Sequence, residues 1–280
     1  GDWCPPGKGE ADYTAPLELT DSVISMDICE KAAFIFGVLG MDLHREFAEK
    51  FGARLRAAIR FRLIDFSAVT AAGNCQTAQA MVLYFNVLEN GERAAFFSKL
   101  LALIDRDGGL MTTGLLGARV IFHVLSAFGE SDLAYQMITT PEFPSYGNLV
   151  ARGETSIPEM FQPEGGRVAS LNHHMFGDIS GWFIREIAGI HLNPSRDNVN
   201  EILIRPSFIG SLEYAKGFHI APAGKISVFW KRNETGAVDL NLEAPETVFG
   251  KIVLPEGFRF EDGRYEKSAV TGGHRLVREY

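Results

Sequence analysis

The sequence has few cysteines and no long apolar run. Cys4, Cys29 and Cys75 are the only cysteines among 280 residues, and this odd, widely spaced set predicts free thiols rather than a disulfide framework or a zinc site. No apolar stretch approaches the roughly 18 residues that span a membrane, so no membrane partner is predicted. No signal-peptide pattern opens the chain. Because its first residues lack an initiator methionine, we expect a piece of a longer protein.

The motifs of several chemistries are also missing. The chain has no Gly-rich phosphate loop, no H-E-x-x-H, no paired C-x-x-C and no G-x-S-x-G. A net charge of -8 repels phosphate backbones, which argues against a nucleic-acid partner but suits a neutral ligand such as a sugar. Neighbouring residues of a helix point about 100° apart, so the pair His173-His174 is not expected to bind a metal. No metal and no cofactor are predicted.

What is present is helical periodicity before residue 195. The apolar spacing predicts seven helices in this part of the chain. They cover residues 22–39, 42–66, 76–89, 92–105, 115–128, 131–139 and 170–190. Asp21 or Ser22 is the expected cap of the first helix, and Asn90-Gly91 is expected to separate the third from the fourth. The third helix is apolar on most of its circumference, which predicts neighbours on both sides.

After residue 195 the pattern changes to short alternating runs. Strands are predicted at 201–205, 225–230, 238–242 and 248–254, with proline and glycine between them. Such runs are typical of an antiparallel β-sandwich. We therefore expect a mainly α domain over residues 1–194 and a β domain over 195–280, with the boundary near Asn193-Pro194.

One loop between helices carries a candidate catalytic carboxylate. Glu159 follows Pro158 among apolar and aromatic neighbours, where partial desolvation would raise its pKa toward the range of a general acid or base. The alternative is a solvated or helix-capping glutamate. Glu10, Asp12 and Asp107 are further carboxylates, each expected to be a solvated loop residue.

Several ordered segments carry a family resemblance that covers nearly the whole chain. They are Gly1-Asp2-Trp3, residues 76–80 (QTAQA), 113–117 (TGLLG), 132–135 (DLAY) with 144–147 (PSYG), 153–159 (GETSIPE) with 170–173 (SLNH), 181–190, and 204–206 with 224–230. In this order they resemble the α-L-rhamnosidases of glycoside hydrolase family 78. The resemblance implies part of an (α/α)6 toroid followed by an antiparallel β-sandwich, and hydrolysis of terminal α-L-rhamnose with inversion.

The resemblance also implies site residues. Glu159 matches the family's general base, His173 a histidine that contacts the sugar, and Trp3 a tryptophan that shapes the rhamnose pocket. Asp2 is a further substrate-binding candidate, with helix capping as its alternative. Plain packing is the alternative for Trp3, and a capping or core role is the alternative for His173. Trp182 and Trp230 lie in apolar patterns and are expected in cores.

Three departures from the family pattern matter. Pro158 stands where the family often has Trp, Met160-Phe161 replaces a more polar pair, and Tyr146 replaces a frequent Trp. The family's general acid lies upstream of Gly-Asp-Trp, and seven helices are fewer than a toroid's twelve. We therefore expect a chain that lacks its acid and whose partners are a rhamnose-containing glycoside and an upstream helical segment of the same protein. The alternatives are a non-catalytic carbohydrate-binding remnant and a structural or interaction module.

Overall fold

The computed structural model describes residues 1–192, 198–268 and 270–279. The chain divides into two compact units. One comprises Gly1–Val124 with Gln136–Gly177, and the other Leu125–Tyr135 with Asp178–Tyr280. The predicted boundary at Asn193-Pro194 lies outside the described residues.

Helices dominate the first two thirds of the chain. They are α1 (Leu17–Val38), α2 (Asp42–Arg62), α3 (Gln76–Tyr84), α4 (Asn90–Arg106), α5 (Leu115–Ala127), α6 (Ser131–Thr139), α7 (Tyr146–Ala151) and α8 (Ile179–Trp182), the last continued by a π-helical turn (Phe183–Ile187). A short hairpin, β1 (Ile64–Asp65) with β2 (Thr70–Ala71), follows α2. Both predicted ends of α6 are confirmed. Among the described residues, no helix combines the length and apolar character needed to cross a membrane.

Several predicted helix bounds are wrong. Helix α2 ends at Arg62 and not at residue 66, and α3 ends at Tyr84 and not at residue 89. Helix α1 begins after Pro16, before the predicted caps, and the Pro16 carbonyl accepts hydrogen bonds from the N–H groups of Leu19 and Thr20. Helix α4 begins at Asn90, where the Glu92 carboxylate accepts a hydrogen bond from the Glu89 N–H (2.7 Å), so Asn90-Gly91 lies inside the first turn. The predicted helix 170–190 is regular only from Ile179.

Helix α3 is buried over almost its whole length, which confirms the prediction of neighbours on both sides. Two of its glutamines are fully buried and bind backbone. The Gln79 amide donates to the carbonyls of Val69 (3.1 Å) and Phe96 (3.0 Å) and accepts from the Ala71 N–H (3.0 Å). Because buried polar groups must be paired, Gln79 fixes the chain on both sides of the helix.

Helices α1 and α2 form an antiparallel pair with an unusually apolar exterior. The exposed apolar residues of this pair and the turn between its helices are Leu17, Ile28, Phe34, Ile35, Val38, Leu39, Met41, Leu43, Phe47, Phe51 and Phe61. We call these residues the outer apolar face. Leu43 and Phe61 are more than four-fifths exposed. So many exposed large apolar side chains on one helix pair mark a place where another element packs.

Two sheets form most of the second unit. Their strands are β3 (Ile190–Leu192), β4 (Glu201–Ile204), β5 (Tyr214–Ala221), β6 (Gly224–Arg232), β7 (Val238–Glu243), β8 (Phe249–Val253), β9 (Phe258–Phe260), β10 (Glu266–Lys267) and β11 (Gly272–Arg278). One sheet has the order β10-β8-β4-β3 and the other β5-β6-β7-β11-β9. The pairs are antiparallel except for β4 with β8, which is parallel. At this pair Gly250 has φ +147° and its Cα approaches the Ile202 backbone so closely that no side chain fits.

Two tryptophans lie in the core of the second unit, as predicted. Trp182 and Trp230 are fully buried. The Trp182 indole N–H donates to the Ser126 hydroxyl (3.0 Å) and that of Trp230 to the Ile187 carbonyl (2.9 Å). Each indole therefore buries a large apolar surface without losing its hydrogen bond.

Candidate active site

The loop of Glu159 is held by a neighbouring stretch of backbone. The Glu159 N–H donates to the Ser170 carbonyl (2.9 Å), and the His173 N–H donates to the Ile157 carbonyl (2.8 Å). The Ser156 hydroxyl donates to the Leu171 carbonyl. These bonds run from one stretch to the other and back, so residues 156–159 and 170–173 lie side by side. The structure thus brings Glu159 and His173 into one site.

A cluster of buried aromatic rings backs this loop. Phe161 contacts Tyr146 and Phe176 edge-to-face, with ring centroids 5.1 and 5.0 Å apart. The Tyr146 hydroxyl donates to the Phe176 carbonyl (2.9 Å). Edge-to-face pairs fix ring orientation as well as burying area. The departures at Tyr146 and Phe161 therefore place packing residues behind Glu159.

The N-terminal loop that carries Trp3 lies against the same segment. The Gly7 N–H donates to the Phe161 carbonyl (2.9 Å), and the Gln162 amide donates to the Lys8 carbonyl (2.9 Å). Trp3 itself is half-buried. An indole with part of its face accessible can pack against a ligand, whereas a fully buried one cannot.

The pKa of the Cys4 thiol indicates that the loop of Trp3 and the loop of Glu159 are close together. Burial raises the pKa of its thiol to about 12, with the negative charges of Glu159 and Glu10 adding to the effect. Glu159 therefore lies within electrostatic reach of the residue that follows Trp3. Cys4 also has φ +56°, an uncommon conformation for a residue with a side chain, and so turns the chain between Trp3 and the prolines that follow. This role of Cys4 in turning the chain was not predicted, and the Cys-Pro-Pro run is the signal for it in the sequence.

Asp2 has a structural role, which corrects its assignment to the substrate. Its side chain is fully buried and accepts hydrogen bonds from the Thr77 hydroxyl and from the N–H groups of Gly114 (2.8 Å) and Gly117 (3.0 Å) at the start of α5. A carboxylate here satisfies helical N–H groups and complements the helix dipole. Gly114 has no room for a side chain because the backbone of Asp2 and Trp3 lies directly against it. The capping alternative is the one that the contacts support.

The Glu159 side chain differs from that of Asp2 in having no partner among the described residues. It is half-buried, and within the part of the chain that the structure describes no group donates a hydrogen bond to its carboxylate. The nearby loop glutamate Glu154, by contrast, pairs with Arg152 (3.4 Å). An accessible, unpaired carboxylate can bind a water molecule and accept its proton.

His173 is held in one tautomer. Its Nδ1 accepts a hydrogen bond from the Met175 N–H (3.2 Å), so the neutral ring carries its proton on Nε2. The ring stacks on that of His174, with centroids 5.0 Å apart and planes 12° apart. The two histidines lie outside any helix, so the helical geometry assumed for them is wrong. The half-buried His173 ring presents Nε2–H as a donor.

The other candidate carboxylates differ in how free they are. Asp107 ends α4 and accepts hydrogen bonds from Arg106, Thr112 and Gln76. Burial raises its pKa, but the hydrogen bonds from Arg106, Thr112 and Gln76 and the charge of Arg106 together outweigh burial and hold the pKa below its usual value. It is not the solvated loop residue expected and is a poor proton donor. Asp12 accepts from the Gly9 N–H (2.9 Å) and is exposed, as is Glu10.

Two family patterns match the two parts of the chain. The pattern of the bacterial α-L-rhamnosidase six-hairpin glycosidase domain matches residues 1–187, and that of the bacterial α-L-rhamnosidase C-terminal domain matches residues 189–267. An α-L-rhamnosidase of Formosa agariphila is 28% identical over 91% of this chain and 28% of its own length. One of Streptomyces avermitilis is 28% identical over 73% of this chain and 22% of its own. The chain thus spans about a quarter of the length of these relatives.

Solved structures share the fold. The α-L-rhamnosidase of Aspergillus terreus superposes with a TM-score of 0.87 at 24% identity, covering 99% of this chain and 33% of that one. The Streptomyces avermitilis enzyme complexed with L-rhamnose gives 0.82 at 24% identity, covering 98% and 28%. The predicted fold class, part of an (α/α)6 toroid followed by an antiparallel β-sandwich, is confirmed. The chain belongs to the family of bacterial α-L-rhamnosidase six-hairpin glycosidase domains.

Proposed function

We propose that the protein is an inverting α-L-rhamnosidase in which Glu159 is the general base. The observation that supports this proposal is the backbone pairing of residues 156–159 with 170–173, together with the electrostatic effect of the Glu159 carboxylate on Cys4 in the loop of Trp3. The relatives and structural neighbours named as α-L-rhamnosidases support the choice of sugar.

The three residues have distinct roles in the proposed reaction. Glu159 accepts a proton from a water molecule as that water attacks the anomeric carbon from the face opposite the leaving group, which gives inversion. The Nε2–H of His173 donates to a sugar hydroxyl and orients the ring. The face of Trp3 packs against the apolar C–H face of the deoxy sugar. No step requires a cofactor.

The general acid is proposed to come from outside these 280 residues. Inversion needs a second carboxyl group roughly 6.5–9.5 Å from the base, on the far side of the sugar. Asp107 is held ionised by Arg106, and Asp12 already accepts a hydrogen bond from backbone. We infer that an upstream helical segment of the same protein supplies the acid.

The same upstream segment is the proposed occupant of the outer apolar face on α1 and α2. The matched regions make up only 22% and 28% of two relatives, whose remaining residues are enough to cover it. The isolated chain should therefore bind a hydrophobic dye, and a Leu43→Ser, Phe47→Ser, Phe61→Ser variant should bind less. Val150→Ser, at a residue three-quarters exposed on α7, is the control. A monodisperse monomer that binds no dye would contradict this part of the proposal.

Glu159 can be tested without the acid. Fluoride leaves without protonation, so hydrolysis of α-L-rhamnosyl fluoride needs only the base. An aryl or alkyl α-L-rhamnoside needs protonation of its leaving group by a general acid, and this need increases with the basicity of the leaving group. We expect the chain to hydrolyse the fluoride, releasing the β anomer, and to be severely impaired on alkyl rhamnosides. Glu159→Gln should lower fluoride hydrolysis by about 10²–10⁴-fold.

Glu154→Gln is the matched control, because Glu154 lies in the same loop but is paired with Arg152. It should retain hydrolysis of the fluoride. Equal activity of Glu159→Gln and the unmodified chain would refute Glu159 as the base. Binding of L-rhamnose with no hydrolysis of the fluoride would favour a carbohydrate-binding remnant instead, and efficient hydrolysis of alkyl rhamnosides would place the acid within this chain.

A further inference from the structure

A cavity lies within the unit formed by residues 125–135 and 178–279. Its volume is about 500 Å³, in the range of small-molecule sites. It is lined by the first residues of α6, by residues 205–210 and by parts of the sheet that contains β6 and β11. None of the residues assigned to the rhamnosidase site contributes to it, so the inference below does not rest on the proposed activity.

Arg232 has a fixed guanidinium in this cavity with an unused donor. Its Nη2 donates to the carbonyls of Phe208 (2.9 Å) and Ile209 (3.3 Å), and the guanidinium lies 5.9 Å from the centroid of the Phe258 ring. Its Nε is buried, so Nε is not accessible from the cavity. Its Nη1 is not buried and has no acceptor within the described part of the chain, so Nη1 can donate to a ligand oxygen.

Two more arginines line the cavity. Among the described residues, neither Arg205 nor Arg278 has an ion-pair or hydrogen-bond partner for its guanidinium. Burial and then the charge of Arg278 lower the pKa of Arg232, while Asp132 opposes them, so these three side chains lie near one another. The cavity therefore holds cations that the fold has not neutralised.

The carboxylates of the lining are mostly engaged. Asp132 accepts from the Gly210 N–H (2.7 Å), Glu279 pairs with Arg259 (3.0 Å) and Glu186 with Arg185 (3.2 Å). Glu256 is exposed to solvent. An incoming carboxylate would thus meet free guanidinium groups, which bind carboxylates in pairs of parallel hydrogen bonds.

Neutral polar groups accompany the arginines. The hydroxyls of Ser131 and Ser207 are 2.9 Å apart, so one donates to the other and the second keeps its own proton for another acceptor. The remaining oxygen of Asp132 can accept from a hydroxyl. Adjacent donors and acceptors of this kind suit the hydroxyls of a sugar.

We propose that this cavity binds a sugar that carries a carboxylate, with the carboxylate on Arg278 and Arg232 and the hydroxyls on Asp132 and Ser207. The site would hold an acidic carbohydrate at a position separate from the rhamnosidase centre.

Calorimetric titration of the chain with D-glucuronate, D-glucose and acetate tests the proposal. Glucuronate should bind more tightly than either of the others, because only it has both the carboxylate and the hydroxyls. Arg278→Gln should weaken glucuronate by roughly tenfold or more, since it removes a charge-assisted contact. The Arg278 side chain is exposed and, among the described residues, has no hydrogen-bond or ion-pair partner, so this variant should fold.

Arg275→Gln is the control, because Arg275 lies on the same strand but faces Asp239 and does not line the cavity. It should leave the affinity for glucuronate unchanged. Equal affinity for glucose would overturn the role of the carboxylate, and equal affinity for acetate would overturn the role of the sugar. Absence of glucuronate binding, or the same affinity in Arg278→Gln as in Arg275→Gln, would overturn the site.

Discussion

Replacing Asp2 by asparagine tests the claim that this residue caps α5 rather than binding substrate. The substitution keeps the shape of the side chain but removes its charge and turns one acceptor oxygen into a donor. In the native chain Oδ2 accepts from Thr77 and Gly114, and Oδ1 accepts from Gly117. Asparagine can keep at most one side of this arrangement.

The expected cost follows from these contacts. With the amide oxygen in the position of Oδ2, the Gly117 N–H faces an NH₂ group and loses its acceptor, which costs about 1–3 kcal/mol for a buried donor. Loss of the negative charge at the helix N-terminus adds about 0.3–1 kcal/mol. Together we expect a loss of about 1.3–4 kcal/mol in the free energy of unfolding. For a unit of this size that lowers Tm by roughly 3–16 °C.

Thermal unfolding followed by the helical circular-dichroism signal is a suitable assay, because the affected unit is the helical one. Asp12→Asn is the matched control. Asp12 also accepts a single backbone hydrogen bond in the N-terminal loop, from Gly9, but it is exposed, so its replacement should change Tm little. If Asp2→Asn melted within about 2 °C of Asp12→Asn, the three hydrogen bonds would not be stabilising and the capping role would be wrong.

Two other predictions use groups outside the site. Cys4 and Cys75 are buried, and burial is the main cause of the raised pKa of each thiol. A thiol reagent should therefore label the native protein at Cys29 far faster than at Cys4 or Cys75. Rapid labelling of two or three thiols before unfolding would contradict this prediction. Burial lowers the pKa of His191 to about 4. As the pH falls from about 6.5 to 4, His191 is therefore protonated in the unfolded chain before it is protonated in the folded one. We expect this difference to lower the free energy of unfolding by about 3 kcal/mol over that interval. Chemical denaturation at pH 7 and pH 4.5 should show a smaller loss in His191→Gln than in the unmodified chain, and equal losses would refute it.

Local sequence patterns predicted the long elements well and the short ones poorly. Both ends of helix α6 were predicted because Ser131 precedes an unbroken apolar period. Strand β7 was predicted because apolar and polar residues alternate strictly along it, as its burial does. Helix α7 was missed since it has only six residues and follows Pro144. Strand β5 was missed because its inward positions hold only small residues and His219, whereas the large apolar residues Phe218 and Ile220 are exposed.

The site was only partly predictable for a different reason. Glu159 and His173 are fourteen positions apart in irregular chain, and only backbone hydrogen bonds between distant residues bring them together. No local period encodes such bonds, so the resemblance to a family identified the residues and the structure supplied their proximity. Asp2 shows the opposite case. Its position in a family motif suggested a ligand contact, whereas its burial and three partners show that the residue supports the fold.

The position of β11 has a consequence for how the second unit is made. This strand follows all the others in the chain, yet it lies inside its sheet, between β7 and β9. At a synthesis rate of about 5–20 residues per second, β7 leaves the ribosome seconds before the neighbour that it needs. Until then β7 and β9 each present an unpaired edge, which is a template for pairing with another chain. During translation, these edges of the second unit must therefore be kept from pairing with other chains.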